Sequence, residues 1–295
     1  MERVLFKRAW RIVVSAVIIF VMTALPVSEV YAAPKRSPKN ILAQNEGRYT
    51  KAVEKILADG VSFSRKKVAC LGDSLTYGLD GATKEVTSQT YPYYLQLFTG
   101  AEVLNYGIGG STIGTSNVYP MCERYSDIPK DADYIIVFGG INDSFYVTKD
   151  AFGSMEEPAP GTFIGELALM YYGLKTEYPN SEVIIINPPK SLWQYLEYQR
   201  GRDRLVKQEK YSEAIRLMTE AYGFHLIDLY DENILNSLDK KVRERYVPDG
   251  CHPNENGYNL LAGIIAEKMI DIELVKVQEK MIDIEPVGVQ EDRGL

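Results

Sequence analysis

Histidine is scarce in this chain: there are two, His225 and His252, among 295 residues. With no clustered His, Cys, Asp and Glu at ligand spacing, a metal-dependent hydrolase is disfavoured, because a catalytic metal needs about three protein ligands held together. Cysteine is nearly as scarce. Cys70, Cys122 and Cys251 are too few and too scattered for a disulfide framework. In an oxidising compartment one pair could form and leave an odd thiol, while Cys70, inside an apolar run, reads as a small buried residue. Beyond the N-terminus there is no Lys/Arg stripe, and the formal net charge is -7. Nucleic acid is therefore not an expected partner, since phosphate neutralisation drives such binding.

No apolar run reaches the roughly 20 residues that a bilayer-spanning helix needs. The longest, residues 12–26, follows Arg3, Lys7, Arg8 and Arg11 and precedes Val30-Tyr31-Ala32, a small-residue cleavage site. Residues 1–32 thus read as an export signal removed after Ala32, with no stable membrane span once it is cleaved and a secreted or cell-surface location; an uncleaved membrane anchor is the alternative. Residues 33–62 read as a polar linker and an amphipathic helix over Tyr49–Asp59.

What the rest contains is alternation. The apolar runs Val68–Leu71, Val103–Tyr106, Tyr134–Phe138, Val183–Ile186 and Leu226–Leu229 are separated by helical stripes. One stripe, Phe163, Leu167, Met170 and Leu174, follows the N-cap candidate Thr162; a second, Tyr211, Ala214, Ile215, Met218 and Ala221, stops at Gly223. A third carries Tyr258, Leu261, Ala262, Ile265 and Met269. Three of the runs lack polar alternation, as strands buried on both faces do. The pattern predicts an α/β fold, a three-layer α/β/α sandwich on a parallel sheet, over residues 63–270. Residues 271–295 form a tail in which KMIDIELVKVQE (268–279) is followed by KMIDIEPVGVQE (280–291). Two copies are too few for a solenoid, so this reads as a local duplication ending the last helix.

In such sheets a site forms beyond the strands' C-terminal ends, and four motifs fall where that rule asks. Val68–Leu71 runs into Gly72-Asp73-Ser74, where a serine on a tight turn can expose its hydroxyl and its own N–H. Asn105-Tyr106-Gly107-Ile108-Gly109-Gly110 follows the second run with unshielded backbone donors for an oxyanion. Gly139-Gly140-Ile141-Asn142-Asp143 follows the third; Asn142 can offer an amide donor and Asp143 can tie the loop down. Asp249-Gly250-Cys251-His252 sets a carboxylate three residues before an imidazole, spacing that suits an oriented general base.

Together, and in this order, the four motifs resemble the blocks of the SGNH, or GDSL, hydrolase family from Val68 to about Ile270. The resemblance implies a flavodoxin-like five-stranded sheet of order 2-1-3-4-5. It implies Ser74 as nucleophile, His252 as base, Asp249 as its orienting acid, and oxyanion donors from the Ser74 and Gly110 amides and Asn142, with no cofactor. The expected activity is ester hydrolysis on a small acyl ester or acetylated carbohydrate, with a lipase or lysophospholipase as the alternative. A non-catalytic carbohydrate-binding protein on the same fold is the remaining reading. The 21 Tyr, against 9 Phe and 2 Trp, lean slightly towards sugars. Residues 145–161 and 187–201 are expected to shape the pocket, with Trp193 and Tyr195 as candidate contacts. Nothing in the sequence sets the oligomeric state.

Overall fold

A computed structural model describes residues 61–200 and 204–282; the segments expected to form an export signal (1–32) and a helix (49–59) lie outside the described residues. Five parallel strands form one sheet in the order β2-β1-β3-β4-β5, as the family resemblance implies. They are β1 (Lys67–Gly72), β2 (Glu102–Gly107), β3 (Tyr134–Phe138), β4 (Glu182–Asn187) and β5 (His225–Asp228).

The helices, in chain order, are α1 (Ser74–Tyr77), α2 (Tyr91–Thr99), α3 (Met121–Arg124), α4 (Asp143–Tyr146) and α5 (Lys149–Phe152). They continue with α6 (Phe163–Glu177), α7 (Leu192–Gln199), α8 (Gln208–Tyr222), α9 (Lys240–Tyr246) and α10 (Glu255–Ile282). Alternate residues of each strand point to opposite faces, and the burial follows that rule. Val68, Cys70, Ile136, Phe138, Ile184 and Ile186 pack with Tyr91 and Leu95 of α2 and with the buried stripe of α10. Ala69, Leu71, Ile135, Val137, Val183 and Ile185 pack with α3, α6 and α8. Every residue of β3 is buried, whereas β2, at the sheet edge, is half exposed.

The predicted helix boundaries hold where capping chemistry sets them. Thr162 accepts from the Gly165 amide at 3.1 Å, and Gly223 closes α8 with a φ of 68°, a conformation that favours glycine. At the chain's end, α10 continues past Ile270 through the first copy of the duplication, with Ile272 buried, to Ile282. Glu273 accepts from the buried Tyr134 hydroxyl, and Lys276 pairs with Glu182 at 2.9 Å. This copy is bolted to the sheet's N-terminal end, beside His225, which pairs with Glu182 at 2.9 Å. The three cysteines are buried and free. Among the described residues, no helix is long and apolar enough to cross a membrane.

Candidate active site

β1 delivers Ser74 to the rim of the sheet. A side chain at Gly72 would meet Thr76 Oγ1 at 1.9 Å and the Phe138 carbonyl at 2.8 Å, so only glycine allows α1 to start this tightly against β3. Asp73 caps α1 by accepting from the Leu75 amide at 2.9 Å. Ser74 Oγ then lies 3.0 Å from His252 Nε2, across a separation of 178 residues. On the other side of the ring, His252 Nδ1 lies 2.9 Å from Asp249 Oδ2. A carboxylate accepts only, so Nδ1 carries the proton and Nε2 faces the serine as an acceptor. Ser74 and His252 are 7% and 5% exposed. A hydroxyl, an imidazole and a carboxylate in this chain have the connectivity of a serine nucleophile with an oriented base.

The Asp249–Pro253 turn is held to the serine side by backbone. The Gly81 amide donates to the Pro253 carbonyl at 3.0 Å, and a side chain at Gly81 would meet the His252 carbonyl at 2.2 Å. Asp249 Oδ1 accepts from the amides of Cys251 at 2.8 Å and His252 at 2.7 Å. Burial pushes the Asp249 carboxyl up, but these hydrogen bonds and that from the His252 ring outweigh it and hold it at about 2. Trp193 closes the site from α7. Its Nε1 donates to the Asp249 carbonyl at 2.6 Å, and its ring stands edge to face on His252 with centroids 5.1 Å apart.

The remaining predicted donors lie on two neighbouring loops. Asn142 Nδ2 donates to the Ser111 carbonyl at 2.9 Å, which leaves its second hydrogen for another acceptor. Asp143 ties the loops together, as its type suggested, by accepting from the amides of Ile113 at 2.9 Å and Gly114 at 3.1 Å. Gly110 stands one residue before Ser111 at a φ of 77°, its carbonyl accepting from Asn117 Nδ2 at 2.9 Å. The close approach to α1 is made by Gly107, where a side chain would meet the Tyr77 amide nitrogen at 2.1 Å. Asn142, Trp193 and His252 share an open cleft of about 700 Å³ with Phe145, Tyr146 and Leu196.

With this geometry, comparison with known proteins gives one family. Residues 70–260 match the GDSL-like lipase/acylhydrolase family. The chain belongs to that family. A search of curated proteins finds no match. Among solved structures, a Lactobacillus plantarum protein is 30% identical, covering 72% of this chain and 98% of its own, with a TM-score of 0.57. The lipase/acylhydrolase from Enterococcus faecalis is 19% identical, covering 70% and 96%, and the aryl esterase of M. smegmatis is 19% identical, covering 69% and 98%. Both have TM-scores of 0.51 and share the fold.

Around the GDSL motif the structure adds residues that its pattern does not name. Arg124 donates through Nη1 to the Tyr106 carbonyl at 2.6 Å, through Nη2 to the Gly72 carbonyl at 2.6 Å and Ser111 Oγ at 3.0 Å, and through Nε to the Tyr119 carbonyl at 3.0 Å. One guanidinium thus clamps the ends of β1 and β2. Its acceptors are mostly backbone carbonyls from separate segments, which leave no side-chain signature in a sequence. Asp73 and Asp143 are fully buried behind the serine. Burial raises Asp73 to about 7 and Asp143 to about 6, against the hydrogen bonds that each accepts. Of the aromatics proposed as contacts, Trp193 lines the cleft, whereas Tyr195 faces a different depression.

Proposed function

We propose that this acylhydrolase is an exported serine esterase that removes small acyl groups, acetyl first among them, from a carbohydrate. The observation that carries the reading is the hydrogen-bonded chain from Ser74 through His252 to Asp249. His252 Nε2 takes the Ser74 proton as Oγ bonds to the ester carbon, and the oxyanion is met by the amides of Ser74 and Gly110 and by Asn142 Nδ2. The carbon–oxygen bond to the alcohol breaks, and the alcohol leaves with the proton from His252. Water, activated by the same imidazole, then hydrolyses the acyl-serine. Asp249 holds the ring in the productive tautomer and balances its charge while it is protonated.

Support for a sugar comes from an open cleft with Tyr146 and Trp193 on its wall. Support for export comes from residues 1–32. Phe145 and Leu196 on the same wall favour the second reading, a lipase-type hydrolase of longer acyl chains. The test has two arms. Ser74→Ala is expected to leave p-nitrophenyl acetate hydrolysis at background, and turnover at the wild-type rate from that variant would end the mechanism. Acetyl esters and acetylated xylan or pectin are expected to be cleaved faster than octanoyl esters; the reverse order would establish the lipase reading.

A further inference from the structure

Helix α7 has two working faces. Trp193, Leu196, Glu197 and Arg200 line the catalytic cleft, while Gln194, Tyr195, Tyr198 and Gln199 line a groove of about 190 Å³ on the opposite side. Residues three, four and seven apart share a helix face, so the two sets are separate stripes of one helix. Both depressions open at the C-terminal rim of the sheet: the cleft includes Asn142, just past β3, and the groove includes Lys190, just past β4, and Tyr230, just past β5.

The groove is furnished with aromatic rings and cations. Tyr195, Tyr198 and Tyr230 line it, and Tyr195 is 50% exposed. Lys190 Nζ stands 5.0 Å from the Tyr230 ring centre and Lys207 Nζ 5.1 Å from that of Tyr198. Lys190 Nζ donates to Asn233 Oδ1 at 2.5 Å, which leaves two of its three hydrogens for a ligand; Glu209 is the acidic residue on the wall. Gln208 ties the floor together, accepting from the Ser191 amide at 3.0 Å and donating to the Pro189 carbonyl at 2.7 Å. The groove carries two lysines against one glutamate, and in the cleft Arg200 pairs with Glu197 at 2.7 Å while Arg204 is the second cation on the wall. Both hollows are thus cationic on a chain whose formal net charge is -7.

We propose that the groove is a second carbohydrate-binding subsite, which holds the distal rings of a carboxylate-bearing polysaccharide whose ester lies in the cleft. Tyrosine faces offer apolar platforms to sugar rings, and the lysine ammonium groups beside them pair with ring carboxylates. The chain crosses α7, a cylinder about 10 Å wide with its side chains, so a polymer spans both hollows where a short ester reaches one. What occupies the cleft rests on the esterase reading; the groove's affinity does not.

The experiment separates the two. Polygalacturonate is titrated into the Ser74→Ala protein by calorimetry, beside the same protein carrying Lys190→Gln with Lys207→Gln, or Tyr195→Ala with Tyr198→Ala; thermal melts verify folding. The lysine pair is expected to raise Kd about fivefold or more, the scale of two partly exposed charged contacts, and the tyrosine pair, which removes the ring platforms, about as much. Neutral xylan is expected to bind more weakly and to ignore the lysine changes. Unchanged polygalacturonate affinity in the folded variants, or equal lysine dependence for xylan, would overturn the proposal. In otherwise wild-type protein, the groove changes should lower the ratio of kcat/KM on acetylated pectin to that on p-nitrophenyl acetate; an unaltered ratio counts against it. Polygalacturonate binding by a chain that hydrolyses no ester would sink the esterase reading and leave the subsite standing.

Discussion

Lys84 Nζ lies 3.1 Å from Asp249 Oδ2, the same oxygen that faces His252 Nδ1. The two partners of that oxygen differ in setting. The lysine side chain is 60% exposed, whereas the imidazole and the carboxylate are 6% and 5% exposed. Water screens the first interaction and strengthens the second by its absence. Lys84→Met should change kcat/KM less than about fivefold, as exposed pairs are worth about 0–1 kcal/mol. Asp249→Asn should lower kcat by roughly four powers of ten, because an amide in place of the carboxylate favours the wrong tautomer. Steady-state kinetics on p-nitrophenyl acetate measure both, and equal losses would show that the carboxylate does not orient the ring.

Arg124 is expected to matter to both stability and rate. Replacing it with Met leaves the Gly72 and Tyr106 carbonyls without a charge-assisted donor, and hydrogen bonds to charged groups are worth about 1.5–3 kcal/mol each. The chain should lose on the order of 2–4 kcal/mol of unfolding free energy, read by urea denaturation. Because Gly72 precedes the Asp73–Ser74 turn, kcat should fall further than KM rises. Arg124→Lys should recover little of either, since an ammonium cannot fork to three segments. Full recovery would show that charge alone was needed.

The buried Asp73 carboxyl sets a pH dependence of stability. Folded, it keeps its proton up to about pH 7, because burial disfavours the anion; unfolded, it releases it near ~3.9. Between those values the folded chain binds more protons than the unfolded chain, so this group's contribution falls as pH rises through the window. Asp73→Asn cannot titrate. Its melting temperature relative to wild type should therefore rise between pH 4 and pH 8, and a constant difference across that range would refute the assignment.

The first copy of the duplication should behave as part of the core. Glu273→Ala strands the fully buried Tyr134 hydroxyl, at a cost of about 1–3 kcal/mol. Adding Tyr134→Phe removes the stranded donor, so the double variant should be no less stable than Glu273→Ala alone. Additive losses would mean that the two groups act independently.

Fold and motifs were legible in the sequence because each depends on short-range pattern. Uninterrupted apolar runs such as Tyr134–Phe138 announce buried strands, Thr162 and Gly223 mark helix ends by local hydrogen bonding and backbone preference, and Gly72-Asp73-Ser74 marks a turn that only small residues permit. Even the pairing of His252 with Asp249 follows from their spacing of three. What spacing cannot carry is the meeting of segments far apart in the chain. The hydrogen bond from Ser74 to His252, Arg124 reaching three segments, Lys84 beside Asp249 and the two faces of α7 arise only when the sheet brings distant loops to one rim. Burial also sets the charge states of Asp73 and Asp143, because it depends on everything packed around a group and not on its neighbours in the chain.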